Sequence, residues 1–435
     1  MSAEEIDFYT DPSVVSDPWP WFAELRGDGP VKHFPGRDIY AVTGYDAALE
    51  VLRDPDSFSS CVSVTGPIPG FSEDPRQADD IDEFIAAHRQ EQPMHEYLIT
   101  MDPPTHAEQR SLVMRLLTPK RMREHEGFMW KLATNQLTGI IASGRTEVFT
   151  QFAQPFAMLV VADMLGVPEA DREEFKRHLT PLLKESDQGG ERSGVPFREE
   201  ASEKAVADPL AFIAERFAQS VVDRRENPGT DVLSEMSNTT YGDGSTPEVE
   251  AVVRMAVFLF AAGQDTTARL VTTALRILAE DPPLQDRLRA EPELIVAFAE
   301  EVLRHQGVVK HAGRLARRDA TIAGVDIPRG ATVALFPQAA NRDPAHYERP
   351  DDFVANRPNP SDHLAFGRGI HACAGASLAR VETRVALERI LTLTSSITID
   401  EEHHGPPGNR TFDYDPVFVL HGLKNLHLRL EPASS

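Results

Sequence analysis

Apolar positions along this chain recur with two periods, and the change of period divides it into regions. From His106 to Glu301 the spacing is mostly helical, with apolar residues three and four apart. Irregular punctuation falls at Gly189 to Pro196 and around Gly242 to Pro247. The longest helix is predicted to start with Thr246 as N-cap, Pro247 at the first helical position and Glu248 in the first turn. It runs to Glu280, where Asp281-Pro282-Pro283 stops it. At 1.5 Å per residue that is about 50 Å, enough to cross the molecule.

The flanks read differently. Val31 to Val42 alternates around Pro35-Gly36-Arg37-Asp38 and predicts a hairpin, and Tyr45 to Arg53 predicts a helix. From Ser59 to Glu96 no period is sustained; Pro67, Pro69, Gly70 and Pro75 break it, and only Asp79 to His88 reads as helical. A long irregular stretch inside a compact protein suggests a functional lid. After Arg304 the pattern shortens. Thr321 to Leu335 predicts strands around Pro328-Arg329-Gly330, and Thr411 to Leu430 predicts a further β region. The expected fold is mainly α with a smaller β-rich region drawn from both ends of the chain, forming one domain over residues 1–435.

Composition narrows the function classes. The chain has 435 residues, 41% of them hydrophobic, and a formal net charge of -24. A chain this long buries a core without disulfide or metal staples, and an acidic surface repels nucleic acid and anionic lipid, so neither is expected as a partner. The most apolar stretch, Val252 to Ala262, contains Arg254 and is followed by Asp265, which excludes a spanning helix there. The N-terminus, Met-Ser-Ala-Glu-Glu-Ile-Asp, is acidic where a secretion signal is basic, so a cytoplasmic location is expected. Only Cys61 and Cys373 are present; this fits a reducing compartment and excludes a Cys-rich cluster. A cysteine that matters chemically acts alone.

One segment points to such a cysteine. Phe366-Gly367-Arg368-Gly369-Ile370-His371-Ala372-Cys373-Ala374-Gly375 leads into a helical run from Ala374 to Leu393. The glycines permit close backbone approach, and a helix N-terminus beside Cys373 favours thiolate over thiol. A thiolate held by amides, with Gly375 leaving room for a flat ligand, suits axial ligation of haem iron. The spacing Phe-Gly-x-Gly-x-His-x-Cys-x-Gly resembles the haem-binding loop of the cytochrome P450 family.

Other segments agree with that resemblance in order. Ala262-Gly263-Gln264-Asp265-Thr266-Thr267, midway along the long helix, resembles the family's oxygen-activation motif. Glu301-Val302-Leu303-Arg304 resembles its Glu-x-x-Arg helix, with Arg357 as third member of an ion network. His106-Ala107-Glu108-Gln109-Arg110, after Asp102-Pro103-Pro104, resembles the haem-propionate helix of soluble bacterial members. The resemblance implies a cytochrome P450 fold with haem b between the long central helix and the Cys-loop helix. It implies Cys373 as axial iron ligand and His106, Arg110, Arg314 and His371 as propionate partners, with Phe366 and Gly367 in the loop that holds the cofactor. Asp265 and Thr266 would deliver protons, more readily if the helix opens locally at this turn. Glu301, Arg304 and Arg357 would be structural braces beneath the cysteine loop.

The implied function is a monooxygenase that inserts one oxygen atom of O2 into a C–H bond of a small, mainly hydrophobic substrate. Electrons would come from a separate ferredoxin and an NAD(P)H-dependent ferredoxin reductase. Arg110, Arg115, Lys120, Arg121 and Arg123 form a basic island with no acid from Arg110 to Arg123; with Arg368 and Arg384 it suggests a docking patch for an acidic donor. Val257, Phe258, Phe260, Ala261, Val308, Val309, Val417 and Phe418 are pocket candidates, with Lys310 and His311 adding polarity near them. A peroxide-driven enzyme and a haem sensor without turnover are the rival readings.

Overall fold

The computed structural model describes residues 6, 8, 11–34, 39–66, 70–172, 200–241, 244–415 and 419–433, with the side chains of 115, 116 and 200–211 excepted. The Pro35–Asp38 turn, Pro67, Pro69, the Gly189–Pro196 break, Val417, Phe418 and the Arg115 side chain lie outside the described residues.

Helices dominate. The helix Val249–Glu280 crosses the molecule and ends where Asp281 caps the next helix, Pro282–Ala290, by accepting from the Leu284 amide at 3.0 Å. Its start differs from the sequence expectation. Glu248 is the N-cap, extended at ψ 150, and Pro247 lies outside because its carbonyl is taken by the Arg225 guanidinium instead of opening a helical turn. One face of this helix, including Phe260, Val271, Leu275 and Leu278, is buried in the main core. There it packs against helices Gln154–Met164 and Ala376–Leu393.

Among the described residues, three small sheets flank this body. Strands β1 (Val31–Phe34), β2 (Ile39–Val42), β3 (Phe58–Ser59), β4 (Arg145–Glu147), β5 (Ala312–Ala316), β6 (Ala320–Ile322), β7 (Val325–Ile327), β8 (Thr332–Leu335), β9 (Thr394–Ile399) and β10 (His427–Pro432) are distributed along the chain. The largest sheet has the order β1-β2-β8-β5-β3. The predicted hairpin pairs Val31 with Val42, and β2 then runs parallel to β8 with Ile39 opposite Thr332. The β portion thus joins both ends of the chain, as the pattern suggests. A second sheet, β4-β10-β9, uses two strands absent from the sequence expectation. Thr411 to Leu430 is mostly irregular: isolated bridges join Tyr414 to Leu423 and Leu420 to Val309, and only its end enters β10.

The irregular 59–96 stretch holds the helix Ile81–His88, capped by Asp80, which accepts from the Asp82 and Glu83 amides. Beyond it, Asp102 fixes the turn into helix Thr105–Leu116. Its carboxylate accepts from the Ser59 hydroxyl and the Ser60 amide and pairs with Arg317 at 2.8 Å.

Candidate active site

The cysteine loop is shaped by backbone constraints before any side chain acts. Gly367 and Gly369 both have left-handed φ, +64 and +72, a region costly for residues with a Cβ. At Gly369 a Cβ would also fall 2.1 Å from the Leu52 carbonyl oxygen, so this glycine seats the loop on helix Tyr45–Arg53. The Cys373 amide donates to Phe366 O at 2.7 Å and closes the loop. The helix itself begins at Ala376, with Gly375 as N-cap, so Cys373 stands three residues ahead of it.

The Cys373 side chain is accessible yet surrounded by protein. Burial pushes its thiol up, while the Gly375 and Ala376 amides and the charges of Arg110 and Arg380 pull the other way. Burial therefore outweighs the helix terminus, contrary to the sequence expectation of a favoured thiolate. Coordination to a metal cation deprotonates such a thiol outright, so the donor set fits a metal-bound sulfur. Cys61, by contrast, is buried and pushed up to about 12, as for an inert core thiol.

Four predicted cofactor partners converge near the loop. The His106 and His371 rings have centroids 4.1 Å apart. Burial, with neighbouring cations, lowers His106 to about 4 and His371 to about 2, so both are neutral at pH 7. Each keeps a buried Nε2 without a hydrogen-bond partner. Arg110 donates to Ala372 O. Arg314 is buried, donating to Ser63 Oγ at 2.9 Å and Gly313 O at 2.7 Å, and burial lowers it only to about 10, leaving it cationic. Two cations and the orphaned His106 nitrogen, in its Nε2–H tautomer, call for an anionic acceptor, because an unpaired buried donor is costly, whereas neutral His371 donates to the Met101 carbonyl and presents a lone pair at Nε2. The carboxylates of haem meet that requirement.

The long helix continues unbroken through the Ala262–Thr267 turn. Thr266 Oγ1 donates to Ala262 O at 2.8 Å, the i−4 bond available to a helical threonine. Ala262 is exposed, and Gly263 to Thr266 are partly so, in the middle of a helix otherwise in the core. Asp265 is not free: Arg269 holds it at 2.9 Å and pairs equally with Asp415. Burial opposes the Arg269 charge, but the two carboxylates more than offset it and raise its pKa.

Beneath the loop, Glu301 and Arg304 are each 1% exposed and joined by two bonds of 2.7 Å. Arg357 approaches the same carboxylate at 3.2 Å, and the Val354 amide donates to it at 2.8 Å. Arg304 also donates to the carbonyls of Asn341, Pro350 and Asp352. The predicted trio is therefore one network tying a helix to the segment that leads into the loop.

Sequence reasoning missed several groups. Arg269 and Asp415 have no motif; only an arginine four residues after Asp265 on an apolar helix hinted at a pair. Glu300 accepts two bonds from Arg380, at 2.7 and 2.8 Å, and lies 3.3 Å from His363. Arg380 in turn sits 4.7 Å from the Phe366 ring centre. Glu382, fully buried beside Thr267, is raised well above the usual carboxyl range by burial.

Two expectations need correction. Lys310 and His311 are only 1% and 2% exposed. Lys310 lies 5.7 Å from the Phe8 ring and His311 5.8 Å from Phe336, so both face the aromatic cluster near the N-terminus and not an open pocket. The basic island is also largely answered. Arg110 turns inward, Arg121 pairs with Glu235 and Arg384 with Glu126, and Arg368 bonds to the Gly367 and Ser361 carbonyls. Arg123 stays exposed.

Comparison with known proteins places this geometry. A family model described as Cytochrome P450 matches residues 197–407. Cytochrome P450 144 of Mycobacterium tuberculosis is 33% identical over 407 residues, covering 91% of this chain and 87% of that protein. The cytochrome P450 monooxygenase PikC of Streptomyces venezuelae is 29% identical, covering 95% and 91%. Among solved structures, substrate-free CYP150A6 of Mycobacterium marinum superposes with a TM-score of 0.90 at 45% identity over 100% of both chains. CYP109E1 of Bacillus megaterium with corticosterone gives 0.78 at 27% identity, covering 95% of this chain and 98% of that one.

Proposed function

Since the chain belongs to the cytochrome P450 family and is a haem b monooxygenase, we propose that it oxygenates a small, mainly hydrophobic molecule at a C–H bond, with Cys373 as the residue whose sulfur would hold the haem iron. The observation that carries this is the accessible Cys373 sulfur on a glycine-shaped loop, beside two cations and two imidazoles with unpartnered Nε2 atoms. Bound haem supplies the oxidising chemistry, in which O2, two electrons and two protons convert a C–H bond to C–OH and release water.

The chain's own residues do the rest. Cys373 donates its sulfur, steadied by the Gly375 and Ala376 amides. Phe366 and Gly367 hold the loop's shape, Arg110, Arg314 and His106 would bind the two carboxylates, and His371 would join them only in the tautomer that gives up its Met101 bond. Thr266 passes a proton at Oγ1, which first has to leave Ala262 O. Asp265 replenishes that proton, and its exchange with Arg269 governs its freedom to do so. Glu301, Arg304 and Arg357 hold the loop against the body. The apolar side of the long helix around Phe258 and Ala262 excludes water and positions the substrate.

We assign the electron supply to a ferredoxin and its NAD(P)H-dependent reductase. The exposed Lys120 and Arg123, next to helix Thr105–Leu116, support an acidic partner on that side. Among the described residues, no helix is long and apolar enough to cross a membrane. The test is the absorbance of the reduced, carbon monoxide-treated protein. Wild type gives the thiolate-type Soret band and Cys373→Ala loses it; a band unchanged in the variant removes Cys373 from the site. Turnover that needs NAD(P)H, reductase and ferredoxin supports the electron route, and equal turnover with peroxide alone refutes it.

A further inference from the structure

Two successive carboxylates on helix Leu294–His305 serve different sides of the cysteine loop. Glu301 grips the segment ahead of the loop through the Val354 amide, whereas Glu300 reaches the helix that follows it. Glu300 is 3% exposed and accepts two bonds from Arg380, at 2.7 and 2.8 Å, the bidentate fork that fixes a guanidinium in place. His363, fully buried, faces the same carboxylate with Nε2 at 3.3 Å. Its Nδ1 accepts from the Ala365 amide at 3.3 Å, so in the neutral ring Nε2 carries the proton toward Glu300. Burial raises the Glu300 pKa, but His363 and Arg380 outweigh it and hold the carboxyl down to about 2. Glu300 is therefore a fixed negative charge at neutral pH.

Arg380 carries that anchor to the loop. It stands seven residues after Cys373, in the second turn of helix Ala376–Leu393. Its guanidinium lies 4.7 Å from the centre of the Phe366 ring, and Phe366 O closes the loop by accepting from the Cys373 amide at 2.7 Å. The His363 ring is 6.0 Å from the same phenyl ring. Two cations have charges that reach the Cys373 sulfur. Arg110 is turned to the Ala372 carbonyl, and Arg380 is the one locked to a carboxylate.

The lock has two electrostatic effects. It keeps the cation at one distance from the sulfur, and it cancels part of the cation's field there. The Arg380 side chain is 34% exposed and that of Glu300 only 3%, so solvent screens the anion less than the cation.

We propose that Glu300 and Arg380 are a positioning pair that sets the electron-donating power of the Cys373 sulfur, and through it the reduction potential of the bound haem. The proposal rests on the reading of Cys373 as the haem ligand. A nearby cation favours the reduced, less positive state and a nearby anion disfavours it. Loss of either side chain therefore shifts the potential in opposite directions, whereas two structural props of one loop shift it in the same direction.

The test is a potentiometric titration of the haem-loaded protein, followed by absorbance. Arg380→Gln lowers the one-electron reduction equilibrium at least about threefold, roughly 30 mV. Glu300→Gln raises it by at least the same factor, and Arg380→Lys, which keeps the charge, recovers most of the loss. Shifts of one sign in both Gln variants, a smaller shift in either, or Arg380→Lys matching Arg380→Gln overturns the inference. If Glu300→Gln releases its haem, the two Arg380 variants decide the matter, because Glu300 keeps His363 as its neighbour in both. The carbon monoxide spectrum of each preparation separates the two levels. A thiolate band throughout without the opposed shifts sinks only the tuning, and a band missing from wild type sinks the ligand reading with it.

Discussion

Replacing Glu301 by Gln removes one charge at the centre of a network that has almost no contact with solvent. The carboxylate accepts two 2.7 Å bonds from Arg304, a 2.8 Å bond from the Val354 amide and a longer approach from Arg357. Glutamine keeps the shape and one acceptor oxygen, but leaves Arg304, 1% exposed, as a buried cation that faces an amide oxygen, backbone carbonyls and the Tyr347 ring and no longer has the Glu301 charge. Breaking a buried pair from one side costs about 3–5 kcal/mol. At about 1.4 kcal/mol per factor of ten, the unfolded fraction rises by roughly a hundred to a few thousand fold. Urea denaturation of the haem-loaded protein, followed by tryptophan fluorescence and by the Soret band, measures this. Arg357→Gln is the internal control: its guanidinium sits at 3.2 Å and also meets the Glu348, Arg349 and Asp352 carbonyls. Losing it leaves Glu301 still paired with Arg304, so the cost is less than half as great. If Glu301→Gln costs under 1 kcal/mol, or no more than Arg357→Gln, the network does not brace the loop and the reasoning fails.

Gly369→Ala places a Cβ 2.1 Å from Leu52 O at a left-handed φ; strain of about 1–2 kcal/mol plus overpacking of about 1–3 lowers thermal stability and haem retention, and wild-type retention on gel filtration contradicts it. Thr266→Ala removes the hydroxyl that carries the proton, so NAD(P)H is still consumed while product per NAD(P)H falls at least tenfold; unchanged coupling assigns the proton to another group. Arg269→Gln frees Asp265 from its 2.9 Å partner but also removes the 2.9 Å bond from buried Asp415, so melting temperature falls while the solvent isotope effect on turnover changes; an effect on stability alone makes Arg269 purely structural. His421, buried against Tyr414, is lowered to about 3 by burial and nearby cations. Its folded pKa lies below the unfolded value near 6.5, so the unfolded state takes up the proton first and stability declines as pH falls from about 6.5, by up to about 1.4 kcal/mol per unit. His421→Gln flattens that slope, and equal slopes in both proteins exclude His421 as its source.

Much of the fold was legible because period and punctuation agreed. Tyr45–Arg53 and the end of the long helix at Glu280 follow from apolar spacing and from Asp281-Pro282-Pro283. The start of that helix was not, since Pro247 fits a first turn locally and is withdrawn only by Arg225, 22 residues upstream. Strand β9 was hidden directly behind a helix, where Thr394 to Ile399 reads as a continuation until β10 pairs with it from residue 427. The candidate site shows the same division. Cys373, His106, Arg110 and Glu301 sit in compact motifs, whereas Asp415 meets Arg269 from 146 positions away. Charge patterning predicted an exposed basic patch, yet Arg121 and Arg384 find acids on other helices. Sequence adjacency carries no information about those partners.

The parallel pairing of β2 with β8, Ile39 against Thr332, has a consequence for biosynthesis. At about 5–20 residues per second, the ribosome needs roughly 15 to 60 s after releasing the first strand before its neighbour emerges. During that interval the β2 edge of the hairpin stays open with no sheet to join, and the glycine loop lies still further downstream. The helical body up to helix Leu294–His305 can therefore collapse before the sheet closes, with helix Ala376–Leu393 still to come, and the nascent chain carries an unsatisfied strand edge for most of its synthesis. Cofactor capture is then necessarily among the last events, after the polypeptide is all but complete.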